Sequence, residues 1–170
     1  MQTQEVKQKV EIKKANESDF DSLISLINAL ADYEKLPRPN KDAQNRLKKD
    51  ALGENLKFDP WIAYVDEIPA GYAITLFTYS SFLALPTLYI EDIFVLPEYR
   101  SQGIGKALFM HCAKIALEKD CGRMEFQVLD WNKIAIDFYE KLGAKHMKEW
   151  LPYRFMREDL EKIVKDQETV

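Results

Sequence analysis

The second half of the chain constrains the fold more than any other part. A strongly apolar run over Leu88–Leu96 predicts a strand, and an apolar stripe predicts a helix over Gly103–Lys119. A further strand is predicted over Met124–Leu129, and a helix over Asn132–Leu142 that ends at Gly143. Because alternating strands and helices bury their apolar faces against one another, this pattern predicts an α/β domain.

The first half predicts helices followed by antiparallel strands. The predicted elements are, in chain order, a strand near Val10, a helix capped by Ser18 with Asp21 and ended by Pro37 and Pro39, a polar helix over about 40–52, and strands over Trp61–Val65 and Tyr72–Tyr79. The polar run Lys35–Lys49 is interpreted as a solvated face, and a last strand is predicted over Tyr153–Met156. Together they predict one mixed, three-layer α/β domain over 10–170, after a flexible tail over 1–9.

Composition argues against several classes of protein. The net charge of −4 argues against a nucleic-acid backbone as the main partner. The two cysteines and two histidines form no ligand pair, so no metal is expected. The polar N-terminus and the lack of a long apolar run predict a cytoplasmic protein with no membrane partner.

Two adjacent carboxylates, Glu91 and Asp92, interrupt the apolar strand over Leu88–Leu96. Simple alternation places them on opposite faces of the sheet. Burial of a carboxylate without a partner is costly and raises its pKa toward neutrality, which suits a general base. A structural ion pair or a carboxylate on a solvated edge would explain the same pattern, and the sequence leaves both readings open.

A glycine-bearing turn, from Arg100 to Lys106, joins this strand to the next helix. It matches neither a P-loop nor GxGxxG, because it lacks the further residues that those motifs require. Free N–H groups at the start of a helix can bind an anion, and the turn therefore favours a pyrophosphate site. An ordinary helix start is the alternative. Farther along, Asn132 is a helix N-cap candidate, and Tyr139 by itself is typical of a core tyrosine.

In order and spacing, these elements resemble the GCN5-related N-acetyltransferase (GNAT) family, and within it the diamine and thialysine acetyltransferase branch. The resemblance runs from about Val10 to Leu160 and rests on the strings LADYEKL, TYSSF, LYIEDIFVLPEYRSQGIG, ALEKDC, VLDWN and DFYEKLGA. It implies a mostly antiparallel mixed sheet with helices on both faces and a splayed strand pair at an acetyl-CoA cleft. It also implies a bulge that re-aims Glu91 or Asp92, so that simple alternation fails there.

The resemblance also implies a role for each matching residue. Acetyl-CoA would be the donor and the primary amine of a small molecule the acceptor, in a ternary complex of a homodimer. The implied cofactor-binding residues are Ile93, Phe94, Val95, Arg100, Ser101, Gln102, Gly103, Ile104, Gly105, Lys106, Asn132 and Ala135. Tyr139 would be the general acid toward the thiolate, Glu91 the base acting through water, and Glu34, Glu91 and Asp92 the groups that bind a cationic substrate.

Two substitutions bear on the acceptor. By the resemblance, polyamine-acetylating members carry glutamate and aspartate where this chain has Ala29 and Ser80, which favours a thialysine-like or lysine-like amine or a diamine over spermidine. A third substitution, Ser101, lies in the turn, where the resemblance leads us to expect a glycine.

Two other functions are compatible with the sequence. They are a CoA-binding regulatory module without turnover and an enzyme that acetylates protein amines.

Overall fold

A five-stranded sheet in the order β1-β2-β3-β4-β5 forms the centre of the chain before residue 128. The strands are β1 (Val10–Lys14), β2 (Asp59–Val65), β3 (Ile68–Ser80), β4 (Leu85–Val95) and β5 (Arg123–Phe126). The first four pair as an antiparallel meander, and β5 pairs with β4 in parallel. The predicted antiparallel connections are therefore confirmed.

The computed structural model describes residues 9–167 and divides into two compact units, one ending at Gln127 and one beginning at Val128. The first contains α1 (Phe20–Glu34), α2 (Lys41–Leu52) and α3 (Ile104–Glu118). The second contains α4 (Lys133–Lys141) and α5 (Arg157–Gln167). The single domain over 10–170 stays a prediction. Apart from Lys9, the predicted tail over 1–9 lies outside the described residues.

Helices cover both faces of the sheet because its strand residues alternate between two apolar faces. On one face, α1 packs into a core cluster that includes Leu23 and Leu26 of α1 and Ile62, Tyr72, Ile74 and Phe94 of the strands. On the other face, the rings of Trp61 on β2 and His111 on α3 meet edge to face at 4.5 Å. The predicted class, a mixed and mostly antiparallel α/β fold, is confirmed.

The start of α1 differs from the prediction. Ser18 is not the N-cap: the Asn16 side chain accepts hydrogen bonds from the Ser18 backbone and hydroxyl, at the start of a 3-10 turn over Glu17–Asp19. Asp19 completes a capping box by accepting from the Asn16 backbone N–H. Asparagine therefore takes the role given to serine, and the helix proper begins at Phe20.

The second unit confirms one prediction and corrects another. Asn132 caps α4, its side-chain oxygen accepting from the Ala135 N–H at 3.3 Å, and Gly143 follows with the positive φ of a helix stop. The predicted strand over Tyr153–Met156 is wrong, because those residues are exposed coil leading into α5. Among residues 128–167 the structure has no strand that could pair with them.

Candidate active site

A bulge in β4 places both carboxylates on one face of the sheet. Asp92 pairs with Ile74 of β3, but the next pair joins Ile90 to Thr75, so Glu91 has no opposite residue in β3. One extra residue in a strand re-aims the side chains around it. Glu91 and Asp92 consequently line the same cleft, and the simple alternation expected from the sequence fails here.

The cleft has a volume of about 570 Å³ and is mainly apolar. Its floor is formed by β3 and β4, one wall by the C-terminal half of α1, and the rest by the segments before and within α2 and before β2. The residues that line it are Ile27, Leu30, Ala31, Glu34, Leu36, Pro37, Pro39, Leu47, Lys57, Phe58, Tyr72, Ile74, Leu76, Glu91 and Asp92. Three carboxylates and one ammonium group give it negative charge.

Asp92 is the most perturbed of these carboxylates. Burial raises its pKa to about 6, the nearby Glu91 and Glu34 carboxylates add to the increase, and a hydrogen bond from Tyr72 opposes it. The Tyr72 hydroxyl donates to Asp92 Oδ2 at 3.1 Å. Burial also raises the pKa of Glu34. Glu91 is exposed at the bulge, so that it is in contact with water.

The edge of β4 facing β5 becomes free just beyond the bulge. The paired residues of the two strands end at Ile90 and Phe126, so residues 91–95 of β4 have no partner in β5. In a strand that has lost a neighbour, alternate N–H and C=O groups are available to a ligand. The predicted residues Ile93, Phe94 and Val95 lie on this edge, beyond the last pair that β4 forms with β5.

Gly71 of β3 allows the backbones of β3 and β4 to lie close together on the side of β4 opposite to β5. It pairs with Val95, and a Cβ at Gly71 would lie only 2.6 Å from the Phe94 carbonyl oxygen. Glycine is therefore required for the two backbones to approach this closely.

The turn before α3 has the features of an anion site. Gly103 is the N-cap at φ +82°, and a Cβ there would have no neighbour within 4 Å. Within the described residues, no side chain caps this helix and no acidic residue lies in its first turn. The N–H groups of Ile104, Gly105 and Lys106, which have no acceptor within the helix, lie at the positive end of the helix dipole. Ser101, with φ +62°, also adopts the left-handed conformation.

Two side chains of the turn hold its backbone. Arg100 Nε donates to the Val95 carbonyl at 3.0 Å, and its guanidinium lies over the rings of Tyr33 at 4.7 Å and Phe94 at 5.4 Å. Gln102 Nε2 donates to the Glu98 carbonyl at 3.1 Å. Arg100 therefore attaches the turn to β4 and α1 as well as carrying positive charge.

Asn132, Ala135 and Tyr139 belong to the second unit. Asn132 and Ala135 form the N-terminal cap of α4, and Tyr139 is buried on the same helix with its ring against that of Phe138 at 5.3 Å. Their assignments as cofactor-binding and acid groups stay predictions.

Sequence reasoning missed several residues of the cleft. The interpretation of Lys35–Lys49 as a solvated face is wrong in part, since Leu36, Pro37 and Leu47 line the cleft. The sequence predicts Tyr72 only as a strand residue, although the alternation of β3 places it on the same face as Ile74. Ala29 and Ser80 are not among the cleft-lining residues: Ala29 packs against the core and Ser80 Oγ accepts from the Leu83 N–H.

The described residues 9–167 contain no cluster of three or more side chains suited to a metal ion. None of the helices described is both long and apolar enough to cross a membrane. Cys112 is buried in α3, and burial raises the pKa of its thiol to about 12, as expected of a core residue.

Comparison with known proteins identifies the family. The Acetyltransferase (GNAT) family model matches residues 23–144, which include the cleft, the turn and α4. The chain belongs to the GNAT acetyltransferase family. Thialysine N-epsilon-acetyltransferase of Sus scrofa is 37% identical over 163 residues, covering 89% of this chain and 95% of that protein.

Solved structures share the GNAT fold. An integron cassette protein from the mobile metagenome of V. cholerae aligns with a TM-score of 0.77 at 25% identity, covering 92% of this chain and 98% of that one. AAC(6')-Iy, solved in complex with the bisubstrate analogue CoA-S-monomethyl-acetylneamine, aligns with a TM-score of 0.71 at 22% identity, covering 87% of this chain and 99% of that one.

As a member of the GNAT family, this chain is an N-acetyltransferase. Enzymes of this family use acetyl-CoA as the acetyl donor. The site fits that group. The helix start without a side-chain cap and the open space at Gly103 suit a diphosphate, and the free edge of β4 suits an amide-bearing chain.

Proposed function

We propose that this GNAT enzyme transfers the acetyl group of acetyl-CoA to the primary amine of a small cationic substrate, either a thialysine-like or lysine-like amine or a diamine. The amine attacks directly in a ternary complex. The observation that carries the proposal is that Glu34, Glu91 and Asp92 share one cleft of about 570 Å³. The similarity to a thialysine N-epsilon-acetyltransferase supports the same acceptor class.

Charge and shape both favour a cationic chain in the cleft. Its carboxylates attract ammonium groups, and only Lys57 among its lining residues opposes them. Ile27, Leu30 and Ile74 supply apolar surface for the methylene groups of such a substrate. Volumes of roughly 300–1,000 Å³ are typical of small-molecule sites.

The chemistry requires that the ammonium group lose a proton before it attacks. An alkylamine has a pKa near ~10.4 and is almost wholly protonated at neutral pH. Glu91 lies at the exposed bulge beside Asp92, where it can accept this proton through water and release it to solvent. Glu91 is therefore the proposed general base, and Glu34 and Asp92 hold the substrate.

Acetyl-CoA supplies the thioester carbonyl that the amine attacks. In the proposed arrangement, the residues from Arg100 to Lys106 hold the diphosphate at the start of α3. The free edge of Ile93, Phe94 and Val95 offers N–H donors to the oxygen that gains charge. Asn132 and Ala135 hold the pantetheine end. As the C–S bond breaks, Tyr139 donates a proton to the departing thiolate, and the second proton that the nitrogen loses on forming the amide restores the Tyr139 phenol.

We propose that the enzyme is a cytoplasmic homodimer. Its support is a cluster of exposed apolar side chains at the β3–β4 end of the sheet, where Phe82 is 98% exposed beside Tyr79, Leu83 and Leu85. Such a patch is typical of a protein–protein contact. Light scattering should give twice the mass of the chain, and Phe82→Ser should favour the monomer. A monomeric wild-type protein would contradict this part of the proposal.

The test is a thiol-release assay with acetyl-CoA against lysine, thialysine, diamines, spermidine and an aminoglycoside. Turnover should be greatest for the lysine-like amines or diamines. Glu34→Gln should raise KM for them about tenfold, because one charge is lost, whereas Glu118→Gln, an exposed glutamate of α3, should change nothing. CoA binding without thiol release from any amine would contradict the proposal, and preference for spermidine would overturn the reading of Ala29 and Ser80.

The proposed role of Tyr139 as general acid is tested by comparing two variants. Tyr139→Phe should lower kcat strongly, whereas Lys119→Ala, at an exposed position after α3, should leave it unchanged. Equal activity in the two variants would remove Tyr139 from the mechanism.

A further inference from the structure

Tyr72 lies beneath the cleft with a single polar atom. Its side chain is 0% exposed and packs in the core cluster with Ile74 and Phe94. Its hydroxyl donates a hydrogen bond to Asp92 Oδ2 at 3.1 Å. Phenylalanine would fill the same core volume, so the packing of the ring does not account for the hydroxyl group.

The hydroxyl reaches the one carboxylate of the cleft that most needs a donor. Asp92 is faced by Tyr72 from β3, by the neighbouring Glu91 on β4 and by Glu34 from α1, while Lys57 also lines the cleft. Two of these groups are acidic and favour the protonated form of Asp92. A hydrogen bond from a neutral phenol favours the ionised form and fixes which oxygen remains for the substrate.

We propose that Tyr72 is a positioning residue for acetyl transfer: its hydroxyl fixes the orientation of Asp92 and keeps it ionised for the incoming amine. This inference rests on the proposed function, because it concerns the acidic cleft of that function. Burial raises the pKa of Tyr72 well above its usual value, so the phenol remains a donor over the whole range in which the enzyme would be assayed.

The experiment compares kcat/KM of Tyr72→Phe with that of the wild type at each pH, so that titration of the amine cancels in the ratio. Loss of the donor should raise the pKa of Asp92 from about 6 by about one unit. The ratio should then fall about fivefold near pH ~6 and recover to within about 10% near pH ~8.5. A ratio independent of pH would overturn the proposal.

Tyr64→Phe is the matched control. Tyr64 on β2 also donates to an aspartate, Asp19, at 2.7 Å, but neither residue lines the cleft. The control loses the same kind of hydrogen bond, and its kcat/KM ratio should show no dependence on pH. Thermal unfolding of both variants checks that each is folded at the assay temperature.

A second readout separates this inference from the proposed function. The Asp92 carboxyl is titrated by carbon NMR in the wild type and in Tyr72→Phe without substrate, with Asp92→Asn identifying the signal. An unchanged pKa overturns the inference even if the enzyme acetylates amines. A wild type that is inactive on every amine refutes the proposed function, while an upward shift in the NMR titration still supports the action of Tyr72 on Asp92. In the Asp92→Asn background, Tyr72→Phe should produce no pH-dependent loss.

Discussion

A methyl group added at Gly71 should force β3 and β4 apart beside residues 93–95, the edge proposed to receive acetyl-CoA. The new Cβ would lie 2.6 Å from the Phe94 carbonyl oxygen and 3.2 Å from Val95 Cα. Both are backbone atoms, so rotation of a side chain cannot relieve the contact. The two strands would have to separate by more than about half an ångström to restore ordinary contact distances.

The cost of such overpacking is about 1–3 kcal/mol, which lowers the melting temperature by roughly 4–8 °C for 2 kcal/mol in a chain of this size. Thermal unfolding followed by circular dichroism measures it. Because Phe94 and Val95 also lie on the free edge, calorimetric titration should show weaker CoA binding to Gly71→Ala.

Gly105→Ala is the control for thermal unfolding alone, since it adds the same methyl group but lies in the turn proposed to hold the diphosphate. Its Cβ would meet only Val95 Cγ2, at an ordinary 3.7 Å, inside the first turn of α3. Alanine at a compatible position restricts the unfolded chain, and the variant should be about 0.4–1 kcal/mol more stable than the wild type. The steric reasoning is refuted if Gly71→Ala melts at or above the wild-type temperature, or if the two variants shift in the same direction.

Three further outcomes follow from the structure. Gly103→Ala should lower the free energy of unfolding by about 1–2 kcal/mol, because φ is +82° at this position. Ser101→Ala should lower it little, because a side chain is already present there at φ +62°. Equal losses of stability in thermal unfolding would contradict this prediction. Burial raises the pKa of Asp92 to about 6, so its negative charge destabilises the folded state fully above pH ~6. Below the pKa that Asp92 has in the unfolded chain, the carboxyl is protonated in both states and this destabilisation is absent. Asp92→Asn should therefore raise the free energy of unfolding, measured by urea titration, by an amount on the order of 2 kcal/mol near pH ~8. This gain should shrink toward pH ~4, and activity should fall. Destabilisation by Asp92→Asn near pH ~8 would contradict this prediction. Cys112, whose pKa is raised to about 12, should resist an aromatic disulfide reagent until the protein unfolds, whereas the half-buried Cys121 should react first.

Local patterns in the sequence predicted most of the elements because those patterns carry their own physical cause. Asn132 caps α4 and Gly143 ends it, as side-chain oxygen and positive φ dictate. Ser18 failed as a cap because Asn16, two residues earlier, starts a 3-10 turn and accepts from the Ser18 N–H and hydroxyl, which places Ser18 inside that turn. The strand over Tyr153–Met156 failed because apolar aromatic residues alone do not form a strand without a neighbour to pair with.

The site was predictable only in part. The residues Glu91 and Asp92 could be selected because carboxylates in an apolar strand are unusual, but their common face depends on a bulge that pairing with β3 creates. The resemblance to GNAT enzymes supplied that bulge, whereas periodicity predicted the opposite. Tyr72 was missed because a tyrosine in a strand is ordinary, and only the structure reveals that its hydroxyl meets a carboxylate.

The acidic cleft is tested most directly by comparing kcat/KM for a diamine and for a monoamine of the same chain length. A cleft in which Glu34, Glu91 and Asp92 receive the substrate should favour the second positive charge by at least about tenfold, equivalent to ~1.4 kcal/mol. The preference should decrease in Glu34→Gln and persist in Glu118→Gln. Equal values for the two amines in the wild type would contradict the account.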